Sequence, residues 1–176
     1  ACGAPRPSFS NSTKPYSLEV VDVFSAGYGG IAEKYVEAVD IEAIAIEGIK
    51  GLTTIDPAIV VLKDEKTIRL NFSGNEIAAM PYPQTATAYG WARVTVDLAT
   101  RASIHSREIR NAGPEKLYEA VFDSALSELD GFSRYAGADE ARHNRARRDG
   151  FGGIGIRFSI KSGKVRIVQV MPGTPA

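Results

Sequence analysis

The stretch Gly150-Phe151-Gly152-Gly153-Ile154-Gly155-Ile156-Arg157-Phe158-Ser159-Ile160, continued by Lys161-Ser162-Gly163 and by Lys164 to Met171, reads unlike anything before it in the chain. Four glycines fall among the six residues from Gly150 to Gly155. β-Branched residues then dominate, which predicts a strand over Ile154 to Ile160, a turn at 161–163 and a second strand over Lys164 to Met171. A polar, arginine-rich helix is predicted just upstream, over Ala138 to Arg148, so a domain boundary is expected near Asp149. The glycines also spell G-x-G-x-x-G. That fingerprint binds a dinucleotide only when a strand precedes it and a helix follows, and here the order is reversed, which argues against a nucleotide.

Working back from Asp149, Pro114 and Glu115 suit the start of a helix whose Leu117, Val121, Ala125 and Leu129 share one face. The segment from Thr85 to Ile109 has helical spacing through Tyr89, Ala92, Val96, Ala99 and Ser103, and one long helix is expected there, ended by Gly113-Pro114. Ile59 to Leu62, Thr67 to Phe72 and Glu76 to Met80 are short β-branched segments separated by turn residues, a small meander closed by Pro81-Tyr82-Pro83. Two helices are expected between Val20 and Thr53. The first carries Phe24, Ile31, Tyr35, Val36 and Val39; the second follows Asp40 as N-cap and stops before Pro57.

The bulk numbers exclude several classes of function. With 176 residues, 44% of them hydrophobic and 24% charged, the chain has enough apolar content for a core. Its 21 basic and 21 acidic residues cancel, so net charge calls for no nucleic acid or anionic surface as partner. The run Arg142 to Arg148 reads as a solvated helix end favoured by the dipole. One cysteine, Cys2, allows no internal disulfide, and with only His105 and His143 beside it no metal site or cofactor is expected. Cys2 itself has two readings. Ala-Cys-Gly followed by a loose polar stretch looks like a processed bacterial lipoprotein with Cys2 as the lipidation candidate; the alternative is a free cysteine in a disordered leader.

Two stretches resemble the carboxyl-terminal processing (tail-specific) proteases, peptidase family S41. The helix Leu117 to Asp130 followed by Ser133-Arg134-Tyr135 is similar to the segment before that family's PDZ domain, with Gly131 and Phe132 where proline and histidine are usual. The glycine string, the hairpin and Pro172-Gly173-Thr174-Pro175-Ala176 match the start of the PDZ domain in order and residue type. The resemblance implies a loop whose backbone N–H groups at Gly153, Ile154, Gly155 and Ile156 receive a peptide's terminal carboxylate. Glycine permits the close approach such a nest needs, and the strand edge then accepts the peptide. Phe151 and Phe158 would shape the pocket. Without a ligand, the same glycines would serve only as a bulge at the start of a strand.

The resemblance further implies a serine nucleophile with a lysine base on a domain beyond the PDZ module, so that this chain, cut partway through that module, carries no catalytic residue. Ser25 and Ser133 read as capping residues, and His105 and His143 as surface histidines. The fold class expected is α+β: a flexible leader over 1–18, a mostly helical domain with a small β-meander over 19–149, and a partial PDZ hairpin over 150–176. Expected partners are protein or peptide C-termini, a lipid anchor through Cys2, and a second copy through the exposed hairpin. The location expected is the periplasmic side of a bacterial envelope.

Overall fold

A computed structural model describes residues 16–130, 133–149, 155–161 and 163–172. The architecture is α+β, in two compact units divided between Gly137 and Ala138. The division lies ahead of the arginine-rich helix, whereas the sequence reading placed it after that helix, near Asp149.

In the first unit, α1 (Leu18–Lys34) buries Val20, Val21, Phe24 and Tyr28, one stripe at helical spacing. Tyr35 leaves the helix with extended backbone, its hydroxyl donating to the Leu129 carbonyl at 3.0 Å and to Asp130 Oδ2 at 3.1 Å. That anchorage ends α1 early, so Val36, expected on the buried stripe, is 98% exposed. Asp40 caps α2 (Ile41–Lys50) as expected, accepting from the Glu42 N–H at 2.9 Å. A single turn, α3 (Leu52–Ile55), follows and ends before Pro57.

The meander forms in the order β1 (Ile59–Asp64), β2 (Thr67–Phe72) and β3 (Asn75–Pro81), antiparallel throughout. Ile59, Val61, Ile68 and Leu70 face the core, while Val60 and Leu62 lie outside with Arg69, which pairs with Asp64 and Glu76. Ser73 and Gly74 both have positive φ (49° and 82°), the backbone a two-residue hairpin turn requires.

Next comes α4 (Ala88–His105), capped by Thr87, whose hydroxyl accepts from the Gly90 N–H at 3.0 Å. The single helix expected to run to Ile109 breaks at Ser106, where α5 (Arg107–Ser127) begins. Ser106 is extended and buried; its hydroxyl donates to Asp56 Oδ2 at 2.6 Å and accepts from the Ile109 N–H at 3.0 Å. A serine that can cap a new helix competes with continuation of the old one. Gly113, at φ 74° and ψ 169°, interrupts α5 where the sequence places a break.

Helix α1 packs on α4, α2 and α3 pack on α5, and the sheet lies against α4, α2 and α3. Close approach of α2 to α5 depends on glycine. A Cβ on Gly51 would stand 2.1 Å from the Ala120 carbonyl oxygen, and one on Gly48 would stand 3.1 Å from that of Val121. At the centre, Trp91, Tyr28, Phe24 and Leu98 are fully buried, and the Tyr28 hydroxyl shares a hydrogen bond of 3.0 Å with Thr95. Burial drives the Tyr28 pKa far upward, so the phenol stays neutral.

The second unit holds α6 (Ala138–Asp149) and a hairpin of β4 (Ile156–Lys161) with β5 (Lys164–Val170), turning at Gly163 with φ 73°.

Candidate functional site

Of the residues expected to receive a carboxylate, Gly153 and Ile154 lie outside the described residues, as do the pocket candidate Phe151 and the lipidation candidate Cys2. Gly155 has φ 74°, a left-handed conformation that favours glycine, and its carbonyl accepts from the Met171 N–H at 2.7 Å. That bond closes the mouth of the hairpin beside Ile156, the first residue of β4. Phe158 is 54% exposed.

Alternation along the paired strands places Ile156, Phe158, Ile160, Val165, Ile167 and Val170 on one face, and Arg157, Ser159, Lys161, Lys164, Arg166 and Gln169 on the other. The numbering of β5 makes a bulge necessary. Val165 and Ile167 are odd and Val170 even, so they share a face only if one residue is inserted between them. The register shifts there, with Phe158 opposite Ile167 and Arg157 opposite Gln169, leaving Val168 as the extra residue. The result is an apolar face, exposed from Phe158 to Val170, backed by a face with four cationic side chains and no acidic one. Among the described residues this sheet has two strands, so each keeps one edge of N–H and C=O groups without a neighbouring strand. Such an edge can take an additional strand, and the apolar face can take its side chains.

The segment after α5 is tied down by Asp130, whose carboxylate accepts from both the backbone N–H and the hydroxyl of Ser133. Tyr135 donates its N–H to Asp123 at 3.1 Å and stacks on Phe122, ring centres 5.3 Å apart. Ser133 lies in the segment after α5, bonded to Asp130, and Lys116 is engaged with Glu119 at 2.8 Å. Ser25 is not a cap; it lies inside α1. His105 is exposed at the end of α4, its ring 6.4 Å from Phe72, and His143 is exposed on α6. Among the described residues no three His, Cys, Asp or Glu side chains gather as a metal site would require. Nor is any helix of the described residues long and apolar enough to cross a membrane.

Comparison with protein-family models, curated proteins and solved structures finds no match.

Two features of the first unit escaped the sequence reading. One is the buried Asp56–Ser106 pair, where the Ser106 hydroxyl and then the Ala58 N–H hold the Asp56 carboxyl below the usual carboxylate range. The other is a half-open pocket of about 350 Å³ walled by Glu42, Lys66, Trp91, the segment Pro81 to Gln84 and Ala86. In the sequence Pro81-Tyr82-Pro83 marks only the end of the meander. The available signal was the single tryptophan, a large side chain with a donor to satisfy, one residue past Gly90.

Proposed function

We propose that this chain is the N-terminal and partial PDZ region of a family S41 serine endopeptidase that recognises protein C-termini, itself without the serine and lysine that perform the cleavage. The observation that carries the reading is the hairpin: a left-handed Gly155 at its mouth, an open strand edge, and an apolar face with Phe158 on it. These are the parts that binding a peptide as an added strand with its carboxylate in a glycine nest requires. In the whole enzyme the domain holding the serine and lysine follows the PDZ module, and the parent acts in the bacterial envelope, with Cys2 as the candidate lipid anchor.

The test uses the native-length protein. Peptides with a free C-terminal carboxylate and an apolar last residue should bind, and their C-terminal amides should not; equal binding of the amides would overturn the reading. The native product should exceed this chain by on the order of 200 residues on an immunoblot.

A second reading, a non-enzymatic envelope lipoprotein that binds or dimerises through the hairpin, is favoured by the apolar face, because exposed patches of this kind mark contact surfaces. It predicts a native product of this chain's own size, and a dimer that Ile167→Asp separates in light scattering. A monomer before the substitution would refute the dimer.

A further inference from the structure

The neutral total of the chain conceals a division between its two units. The second unit, 138–176, holds eight basic and three acidic residues, a net charge of +5, whereas the first holds thirteen and eighteen, a net of −5. The three acids of the second unit, Asp139, Glu140 and Asp149, all belong to α6, and from 150 to 176 the sequence has no Asp or Glu. Positive charge on the hairpin therefore has no counter-charge of its own.

That charge is gathered on one side. Arg157, Lys161, Lys164 and Arg166 are exposed, share the polar face of the two strands, and belong to none of the ion pairs of the described residues. Lys161 stands directly opposite Lys164 in the pairing. Like charges so placed destabilise a strand pair, where an opposite charge would have supported it. The rest of the face is neutral and polar, with Ser159 opposite Arg166 and Gln169 opposite Arg157.

This face stays toward solvent whatever covers the other. A peptide, a further segment of chain or a second copy would be drawn to the apolar side, where burial is favourable, while cations are almost never buried unless paired. The partner of the cationic side is thus a separate matter, and charge complementarity points to an extended anionic surface. Proteins that hold single-stranded nucleic acid add aromatic side chains on which bases stack. None lies on this face, since Phe158 is on the reverse. A bilayer of acidic phospholipids asks only for an array of cations, and clusters of about four to eight Lys or Arg serve. The choice of lipid over nucleic acid also rests on the envelope reading of the chain; the cationic face itself does not.

We propose that the second unit rests on an anionic phospholipid surface through Arg157, Lys161, Lys164 and Arg166, with headgroup phosphates supplying the negative charge that the hairpin lacks. The apolar face then points away from the bilayer, and a peptide added to the strand edge is held at the membrane surface.

The full chain, made without acylation so that Cys2 contributes no anchor, is mixed with vesicles of phosphatidylcholine or with vesicles rich in phosphatidylglycerol, and binding is read by co-sedimentation. It should bind the second kind only. Binding should disappear between about 0.1 M and about 1 M salt, as the screening length falls from about 10 Å to about 3 Å. Lys161→Gln combined with Lys164→Gln should weaken binding about 25-fold, about fivefold for each cation near the surface. The same two charges removed from the first unit, by Lys50→Gln with Lys116→Gln, should leave it unchanged, which separates this face from net charge. The hairpin pair of substitutions relieves a repulsion, so circular dichroism should show the fold kept. Equal binding to both kinds of vesicle, binding indifferent to salt, equal losses from the two double variants, or tighter binding to a short DNA duplex than to the acidic vesicles at the same salt overturns the inference. A chain that ignores vesicles yet tells peptide acids from amides loses this inference alone, and one that binds vesicles but no peptide loses the C-terminus reading alone.

Discussion

Replacing Gly51 by alanine tests the packing of the first unit at its tightest point. The backbone there is already helical, φ −55° and ψ −20°, so alanine brings no conformational strain and on that account would stabilise by about 0.5–1 kcal/mol. The added Cβ, however, would lie 2.1 Å from the Ala120 oxygen, 2.8 Å from its carbonyl carbon and 2.9 Å from the Gly48 oxygen. All three are backbone atoms, and the first is more than an ångström inside van der Waals contact, so α2 and α3 must move off α5 as bodies. Overpacking of a core costs about 1–3 kcal/mol, sometimes more, and a net loss of about 2 kcal/mol is expected after the helical gain. That corresponds to a fall in Tm of roughly 8 °C for a unit of this size. Urea unfolding followed by the fluorescence of Trp91, the single and fully buried tryptophan, measures it directly. Gly30→Ala is the control, because a Cβ there meets nothing within 4 Å; it should leave stability unchanged or raise it. A Gly51→Ala protein as stable as the parent would refute the close approach of α2 and α5.

Three further outcomes follow from the local geometry. Asp56 has a depressed folded pKa, so its stabilisation is complete above the ordinary carboxylate value of about 3.9 and is lost as pH falls through the lower folded value. Ser106→Ala should cost about 1–3 kcal/mol at neutral pH and flatten the acid limb of a stability–pH curve; an unchanged acid limb would contradict the assignment. Gly113→Ala meets no atom within 4 Å but must hold φ 74° and ψ 169°, a loss of about 1–3 kcal/mol from backbone strain alone, checked by thermal unfolding. Thr87→Ala removes the cap of α4 and should cost about 1 kcal/mol, seen as a lower urea midpoint with an unchanged slope.

The elements whose identity rests on local chemistry were legible in the sequence. Asp40 before an apolar stripe, Pro57 after one, and turn residues between β-branched runs each act within a few residues. The meander and hairpin were found for that reason. What was missed depends on partners distant in the chain. The break at Ser106 needs Asp56 beside it, and the exposure of Val36 follows from Tyr35 reaching Asp130. Without those contacts, the helical spacing on either side gives no cause to stop. The pocket at Trp91 was hidden similarly, because Glu42, Lys66 and Tyr82 converge only after folding. The glycine nest was read from a motif, and part of it falls outside the described residues.

The hydrogen bond from Ser106 to Asp56 spans fifty positions of sequence and fastens the two ends of a single excursion, the meander and α4 together. A clasp at the base of a loop makes what lies above it a unit with its own integrity. Amide protons from β1 to the end of α4 should therefore exchange as one cooperative block, released together when the clasp opens. The start of α5 is tied to the same event, since the hydroxyl that holds Asp56 is also the one that caps Ile109. In folding, the cap on Ile109 is local and can form first, whereas the bond to Asp56 must wait until the excursion has closed, because a loop of this length loses entropy before its contacts are made.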